Sequence, residues 1–152
     1  MINIDFVSTG EKKQILKILE EEYGISKFNY LIMKSGKEKL RIFSGILSRE
    51  ELLSLARNIN IDLIGLYFGF YKDNELRLSV DACNLLKPTK NILEINDEDE
   101  NKWMRGEDLV PVNVEKIKKG FVIIKNKENF LGTGKLTETK ILNFLPKERR
   151  RK

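Results

Sequence analysis

The sequence predicts an α+β fold in two parts, an α/β part over residues 1–88 and a small β-barrel over residues 89–152. Two helix-start signals in the first part precede apolar residues at helical spacing. In the second part, short strand-like runs with glycine punctuation recur about every 8–12 residues, which is typical of small barrels. Pro88 breaks regular structure where the charge balance changes, and this position sets the predicted boundary.

Two helices are predicted in the first part, each opened by a capping box. Ser8 and Glu11 have the spacing at which each side chain bonds the other residue's backbone amide, and Gly24 is a natural end for this helix. Ser48 and Glu51 repeat the spacing ahead of the second helix.

Alternating or continuous apolar residues predict four strands in the first part, over residues 28–32, 40–43, 63–71 and 76–80. The third strand is nearly all apolar, which indicates burial, and Gly65 and Gly69 permit a bulge or close packing within it. Residues 72–74 form a tight connection, so the last two strands are expected to pair as a hairpin.

One helix is predicted in the second part. Asn96 can cap it, the four acidic residues 97–100 complement the helix dipole, and Gly106 ends it. Trp103 falls on the side of this helix that faces the core, although an exposed tryptophan could instead stack on a nucleic-acid base. Consecutive carboxylates spread around a helical turn, so residues 97–100 are not expected to converge on a metal ion.

Strands in the second part are predicted over residues 92–95, 109–112, 121–124 and 130–136. Pro111 indicates a sheet edge. Gly132 and Gly134 lie between strand-like runs with no helix following, so they predict a bent strand that another backbone can approach closely, and not a phosphate-binding loop. The basic tail, residues 149–152, is predicted to be mobile.

Basic residues are concentrated at one end of the chain. Residues 1–86 hold 12 basic and 12 acidic side chains, whereas residues 116–152 hold 12 basic and 3 acidic ones, a net charge of +9. A basic region on a neutral body is the electrostatic pattern of a protein that binds a polyanion, although a merely solvated lysine-rich surface has the same composition.

Several classes of function are disfavoured by composition. The chain has no histidine, so it can build neither a histidine-activated nucleophile nor a zinc site with imidazole ligands. Cys83 is its one cysteine, which excludes an internal disulfide, favours the cytoplasm and is expected to be a buried structural thiol. No apolar run is long enough to cross a membrane. No catalytic residue, metal site or cofactor is predicted.

Four motifs of the second part resemble the PUA-like RNA-binding domain that follows the catalytic domain in Nol–Nop–Sun-type RNA cytosine-5 methyltransferases. They lie in residues 103–109, 120–124, 130–136 and 143–149. Their order and spacing match over roughly residues 92–151, with Thr133 departing from the residue often found between the two glycines. The donor-binding fold and the paired catalytic cysteines of those enzymes are missing, so the resemblance implies RNA binding and not methyl transfer.

The first part is similar to the pre-PUA domain of a small family of ribosome-biogenesis factors. The similarity rests on shorter motifs, in residues 48–59, 65–71, 76–79 and 85–88. It implies a non-enzymatic protein with a pre-PUA domain followed by a PUA domain. The RNA implied is ribosomal or transfer RNA, in ribosome biogenesis or RNA modification.

The predicted RNA-binding residues are basic side chains of the second part, joined by glycines at which RNA could approach closely. The basic residues are Arg105, Lys125, Lys135, Lys140, Lys147, Arg149, Arg150 and Arg151, and the glycines are Gly106, Gly132 and Gly134.

Two other interpretations stay open. The chain could be a non-catalytic accessory subunit that docks onto an RNA methyltransferase or a pre-ribosomal protein, with the apolar residues 63–71 making the contact. An enzyme in its own right is the least favoured interpretation.

Overall fold

The computed structural model describes residues 5–43, 48–58 and 65–151. Within these residues the chain forms nine β-strands, four α-helices and a short 3₁₀ turn. In chain order they are β1 (Asp5–Phe6), α1 (Thr9–Tyr23), β2 (Leu31–Ser35), β3 (Lys39–Phe43), α2 (Arg49–Asn58), β4 (Leu66–Lys72), β5 (Glu75–Leu78), α3 (Val80–Leu86), β6 (Ile92–Glu94), α4 (Asp97–Met104), β7 (Gly120–Asn126), β8 (Asn129–Leu136), β9 (Ile141–Asn143) and the turn Lys147–Arg149.

The first sheet is antiparallel, with its five strands in sequence order from β1 to β5. Helix α1 buries Ile15, Leu19 and Tyr23 in the same apolar cluster as Phe68 of β4. The Tyr23 hydroxyl donates a hydrogen bond to the carbonyl of Leu76, which satisfies its one polar group inside the core. The predicted α/β character of the first part is therefore present.

Both predicted helix starts are confirmed. Ser8 Oγ accepts from the Glu11 amide at 3.1 Å, and the Ser8 amide donates to Glu11 Oε1 at 3.2 Å. Gly24 ends α1 with φ at +67°. Ser48 Oγ accepts from the Glu51 amide at 3.1 Å at the start of α2.

The predicted hairpin and its glycine are also confirmed. Strand β4 begins at Leu66, and residues 63 and 64 of the predicted strand lie outside the described residues. Its register against β3 shifts so that Phe68 is an extra residue, and Gly69 lies against the carbonyl of Arg77 on β5, where a Cβ atom would collide. Asp73 and Asn74 turn the chain with φ at +51° and +60°.

The fourth strand of the first part ends earlier than predicted. Val80 was expected to continue the alternation of β5, but it begins α3. The reason is Ser79, whose Oγ accepts from the Ala82 amide at 3.0 Å as a helix N-cap and donates to the Tyr67 carbonyl at 2.6 Å. In the sequence, a serine at this position fits the alternation of a strand as well as a helix N-cap, so the pattern alone does not reveal where α3 begins.

The second sheet is open, and the predicted barrel closure is not found among the described residues. Its strand order is β6-β7-β8-β9, with β6 parallel to β7. The predicted strand 109–112 contributes only one bridge, between Leu109 and Ile141. Pro111 cannot donate to a strand ladder, and Val110 and Val112 are exposed beside it.

The two sheets share part of their apolar core. Ile123 of β7 and Phe130 of β8 belong to the cluster formed by α1 and the first sheet, while Val122, Ile124 and Leu131 pack with Trp103 on the other side. Successive residues of β7 thus face opposite sides of the sheet. Ile123 faces the first half of the chain (residues 1–88), whereas Val122 and Ile124 face α4 in the second half (residues 89–152). The domain boundary near residue 88 stays a prediction.

Among the described residues, no helix is both long and apolar enough to span a membrane.

Candidate nucleic-acid interface

Trp103 anchors helix α4 on the second sheet. Its ring is fully buried, and its indole N–H donates to the Leu131 carbonyl at 2.9 Å. A Cβ atom on Gly134 would stand 2.8 Å from Trp103 Cη2. Trp103 is therefore a core residue, as predicted, and the close approach at Gly134 is made by this ring and not by a partner.

Arg150 and Arg151 of the basic tail contact the end of α4, which the prediction of a mobile tail did not include, and Lys152 lies outside the described residues. The Arg151 amide donates to the Met104 carbonyl at 2.6 Å, and Arg150 Nε donates to the Leu145 carbonyl at 3.1 Å. Gly106 has φ at +90°, and a Cβ atom there would stand 2.6 Å from Arg150 Nε. Gly106 thus makes room for the chain's own arginine. The tail was predicted to be mobile because hydrogen bonds to distant carbonyls leave no local sequence signal.

Three of the predicted basic residues form ion pairs at the surface. Arg105 pairs with Glu107 at 2.8 Å and Lys140 with Asp108 at 3.9 Å, while Arg149 is bonded to Asp81 of α3. The arginine and lysine side chains are about half exposed. Exposed pairs of this kind are weak, so a phosphate group can compete for each cation.

Lys125, Lys135 and Lys147 have no acidic partner within the part of the chain that the structure describes. Lys125 Nζ lies 5.1 Å from the ring centre of Phe130, and Lys135 Nζ lies 5.8 Å from that of Phe121. These cation–π contacts hold the ammonium groups beside the sheet while leaving their N–H donors available.

The predicted basic residues do not form one cluster. Cross-strand pairing places Lys125 and Lys135 on one face of the sheet, near opposite ends of β7. Arg105, Arg150 and Arg151 gather at the end of α4, whereas Arg149 reaches α3. The positive charge therefore spans a broad surface, as suits contact with several phosphates of one polyanion.

A cleft between the two halves was missed by sequence reasoning. Its volume is about 470 Å³, and among the predicted residues it includes Gly132 and Arg149. The first half contributes Lys39, Tyr67 and Arg77. These residues lie on strands of the part with neutral overall charge, so composition gave no reason to select them. The one available signal is the position of Arg77 between Leu76 and Leu78, which places it on the face opposite to the buried leucines.

Strand β8 meets the first half at Gly132 and Thr133. Gly132 has φ at +97°, in accord with the predicted bend, and a Cβ atom there would stand 3.1 Å from Val80 Cγ2. Thr133 Oγ1 donates to the Leu78 carbonyl at 2.8 Å, and Asn84 Nδ2 donates to the Phe130 carbonyl at 3.2 Å. The close approach predicted at this glycine is thus made within the chain, by the start of α3.

The thiol of Cys83 and the acidic residues at the start of α4 have structural contacts in the described chain. Burial raises the pKa of the Cys83 thiol to about 12, as expected for a structural cysteine. Asp97 and Glu100 both accept from Asn126 Nδ2, at 2.8 and 3.3 Å. These bonds hold α4 to β7, and the Asn126 and Lys127 contacts lower the pKa of Asp97. The described residues contain no group of three or more side chains suited to a metal ion.

Comparisons with known proteins found a family match and a similar fold. Residues 90–151 match the family model described as the methyltransferase RsmF PUA domain. The comparison with curated proteins found no match. The fold is similar to that of a conserved PUA domain protein from Thermoplasma acidophilum, with a TM-score of 0.63, 19% identity and 93% of each chain covered. Together these matches support a PUA-domain protein, with the family match lying in residues 90–151.

Proposed function

We propose that the protein is a stand-alone RNA-binding protein that acts on ribosomal or transfer RNA, in ribosome biogenesis or RNA modification. The observation that carries the proposal is that the family match and the excess of positive charge lie in the same part of the chain. The PUA domain match covers residues 90–151, and residues 116–152 carry the net charge of +9. PUA domains are generally RNA-binding. Lys125, Lys135 and Lys147, which have no acidic partner in the described part of the chain, supply phosphate contacts that such binding needs.

The proposed role is binding and not catalysis, exercised in the cytoplasm. The first half, which we propose to be a pre-PUA domain, packs against the second sheet. Asn84 of α3 and the Leu78 carbonyl of β5 make hydrogen bonds to β8. Lysines and arginines neutralise phosphates across the broad surface, which positions the RNA without reading its sequence.

The proposal is tested by measuring the affinity of the purified protein for transfer RNA, for structured ribosomal RNA fragments and for a DNA duplex of equal length. We expect both RNA classes to bind, and at least one of them more tightly than the DNA, because A-form geometry and 2′-hydroxyl groups distinguish RNA. Equal affinity for DNA and RNA would reduce the function to non-specific polyanion binding, and no RNA binding at low salt would refute the proposal.

A second candidate, an accessory subunit docking onto an RNA methyltransferase or a pre-ribosomal protein, is favoured by one observation. Val110 and Val112 are 76% and 68% exposed, beside Pro111. The contact first expected over residues 63–71 is less suited to docking, since its described part lies in β4, an interior strand paired with β3 and β5, and Phe68 is fully buried. A partner that co-purifies with the protein but is lost from a Val110→Ser/Val112→Ser variant would favour this role.

A further inference from the structure

The cleft between the two halves has the size and lining of a small-ligand site. Its volume of about 470 Å³ is within the range of about 300–1,000 Å³ for such sites. One wall is formed by β3, β4, β5 and the start of α3. The other is formed by β8 and the segment after β9, with Phe144, Leu145 and Pro146. It is therefore complete only when both halves are in place.

Arg77 is the most unusual residue in this cleft. Its guanidinium carbon lies 4.3 Å from the ring centre of Phe144 and 4.9 Å from that of Phe70. Among the described residues, the guanidinium group of Arg77 has no hydrogen-bond partner and no acidic partner. Rings from both halves thus fix the guanidinium while its N–H donors stay free. A fixed, unpaired arginine beside aromatic rings is suited to the polar edge of a planar base.

Charges at the cleft favour an anion. Lys39 is exposed and has no acidic partner among the described residues, as is the case for Arg77. Arg149 is bonded to Asp81, which leaves Glu148 as the one lining acid with no cationic partner in the described chain. Two free cations therefore face one free carboxylate, and the balance attracts a phosphate group.

We infer that the cleft receives one unpaired nucleotide of a bound RNA. Tyr67 and Phe144 offer rings on which its base can stack, Arg77 donates hydrogen bonds to the base edge, and Lys39 and Arg149 face its phosphate. The inference rests on the proposed RNA-binding function and adds to it a specific requirement: an RNA with an unpaired nucleotide should bind more tightly than the same RNA without one.

The experiment uses the full chain and two RNA hairpins with the same paired sequence, each closed by a non-nucleotide linker so that the loop offers no unpaired nucleotide. One hairpin is fully paired with a blunt end, and the other has a single bulged 2-aminopurine nucleotide. We expect the wild-type protein to bind the bulged hairpin about tenfold more tightly, because stacking of one base contributes on that order. The fluorescence of 2-aminopurine should change on binding. Arg77→Ala should remove both the preference and the fluorescence change while leaving the affinity for the blunt hairpin within about twofold.

Arg49→Ala is the matched control. Arg49 also lies over an aromatic ring, that of Phe6, at 4.7 Å, but it is outside the cleft, so the preference should survive its removal. Lys39→Ala is a second test of the cleft, which keeps the inference testable if the Arg77 variant misfolds. The Lys39 side chain is exposed and can be removed without disturbing the core. Its removal should weaken the preference for the bulged hairpin several-fold.

The outcomes separate this inference from the function beneath it. Equal binding of the two hairpins by the wild-type protein, or equal weakening of both by Arg77→Ala, would overturn the nucleotide site and leave RNA binding intact. A preference unchanged in the Arg77 and Lys39 variants would also overturn it, and would leave the cleft for a protein segment. Binding of neither hairpin would refute the proposed function itself.

Discussion

At the scale of single residues, glycines mark where this chain approaches itself. Gly134 lies under Trp103, and a Cβ atom there would be 2.8 Å from the ring, 2.9 Å from Ile141 Cγ2 and 3.0 Å from the Leu142 carbonyl. These three contacts come from two elements, α4 and β9, so the movement of one side chain would not make enough room for the Cβ atom. The indole is held in place by its hydrogen bond to Leu131.

We therefore expect Gly134→Ala to destabilise the protein by about 1–3 kcal/mol, as overpacking of a core does. The measurement is the free energy of unfolding in urea. Gly10→Ala is the control, because nothing lies within 4 Å of a Cβ atom at that helical position and the change should be neutral or stabilising by up to about 1 kcal/mol. Equal stability of the two variants would show that Trp103 does not fix the sheet.

At the scale of elements, the contacts of Glu11 at the start of α1 should make the stability of the fold depend on pH. A hydrogen bond from Lys34 is the largest cause that lowers the pKa of the Glu11 carboxyl, followed by the bond from the Ser8 amide. Lys34 Nζ is 3.0 Å from Glu11 Oε1, which ties the helix to β2. A carboxyl with a lowered pKa in the folded state stabilises that state when it is ionised.

This stabilisation should be complete above the usual carboxyl pKa of 4.5 and should disappear as the pH falls through the lower pKa of the folded state. We expect Glu11→Gln to lower the free energy of unfolding at pH 7 by less than about 1 kcal/mol, since the group is partly exposed. The difference from wild type should shrink below pH 4.5. Glu21→Gln, on an exposed position of the same helix, is the control. A difference that persists in acid would contradict the role of the Glu11 charge.

Elements with local signals were predictable from the sequence, and elements defined by distant contacts were not. The caps at Ser8 and Asn96 and the turn at Asp73 and Asn74 depend on neighbours a few residues away, so their patterns are visible in the chain. The start of α3 was hidden because Ser79 fits both a strand and a cap. Barrel closure was expected from strand spacing, but closure requires edge strands to pair over long distances, which spacing does not specify.

The candidate site likewise has features that were predictable from the sequence and features that were not. Net charge located the basic region, whereas its division into separate groups depends on tertiary contacts such as Arg149 with Asp81. The cleft could not be foreseen, because Arg77 and Phe144 meet only when both halves fold together.

At the scale of the whole molecule, the two halves are expected to depend on each other for stability. Ile123 and Phe130 of the second sheet are buried in the apolar cluster of the first half, and Thr133 bonds the Leu78 carbonyl. An isolated fragment of residues 89–152 would expose these apolar side chains to water.

We expect that fragment to unfold at a lower urea concentration than the full chain and to bind a hydrophobic dye more strongly. Circular dichroism and dye fluorescence measure the two effects. A fragment as stable as the full chain would show that residues 89–152 fold independently and that the shared apolar cluster contributes little to stability.

The central claim, that the basic second half binds RNA through phosphate contacts, is tested most directly by RNA affinity across a salt series. Deleting residues 116–152 would remove β7, β8 and β9, so substitutions are the sharper tool. The compared proteins are the wild type, a Lys135→Ala/Lys140→Ala/Arg149→Ala variant and a control with Lys12, Lys13 and Lys17 of α1 replaced by alanine.

Neutralisation of about four to six phosphates gives a log–log slope of about −3 to −5 for the wild type. The basic-region variant should bind more weakly with a slope less negative by about 2–3, while the α1 variant should keep the wild-type slope. Identical slopes for all three proteins would contradict the assignment of the RNA surface to the second half.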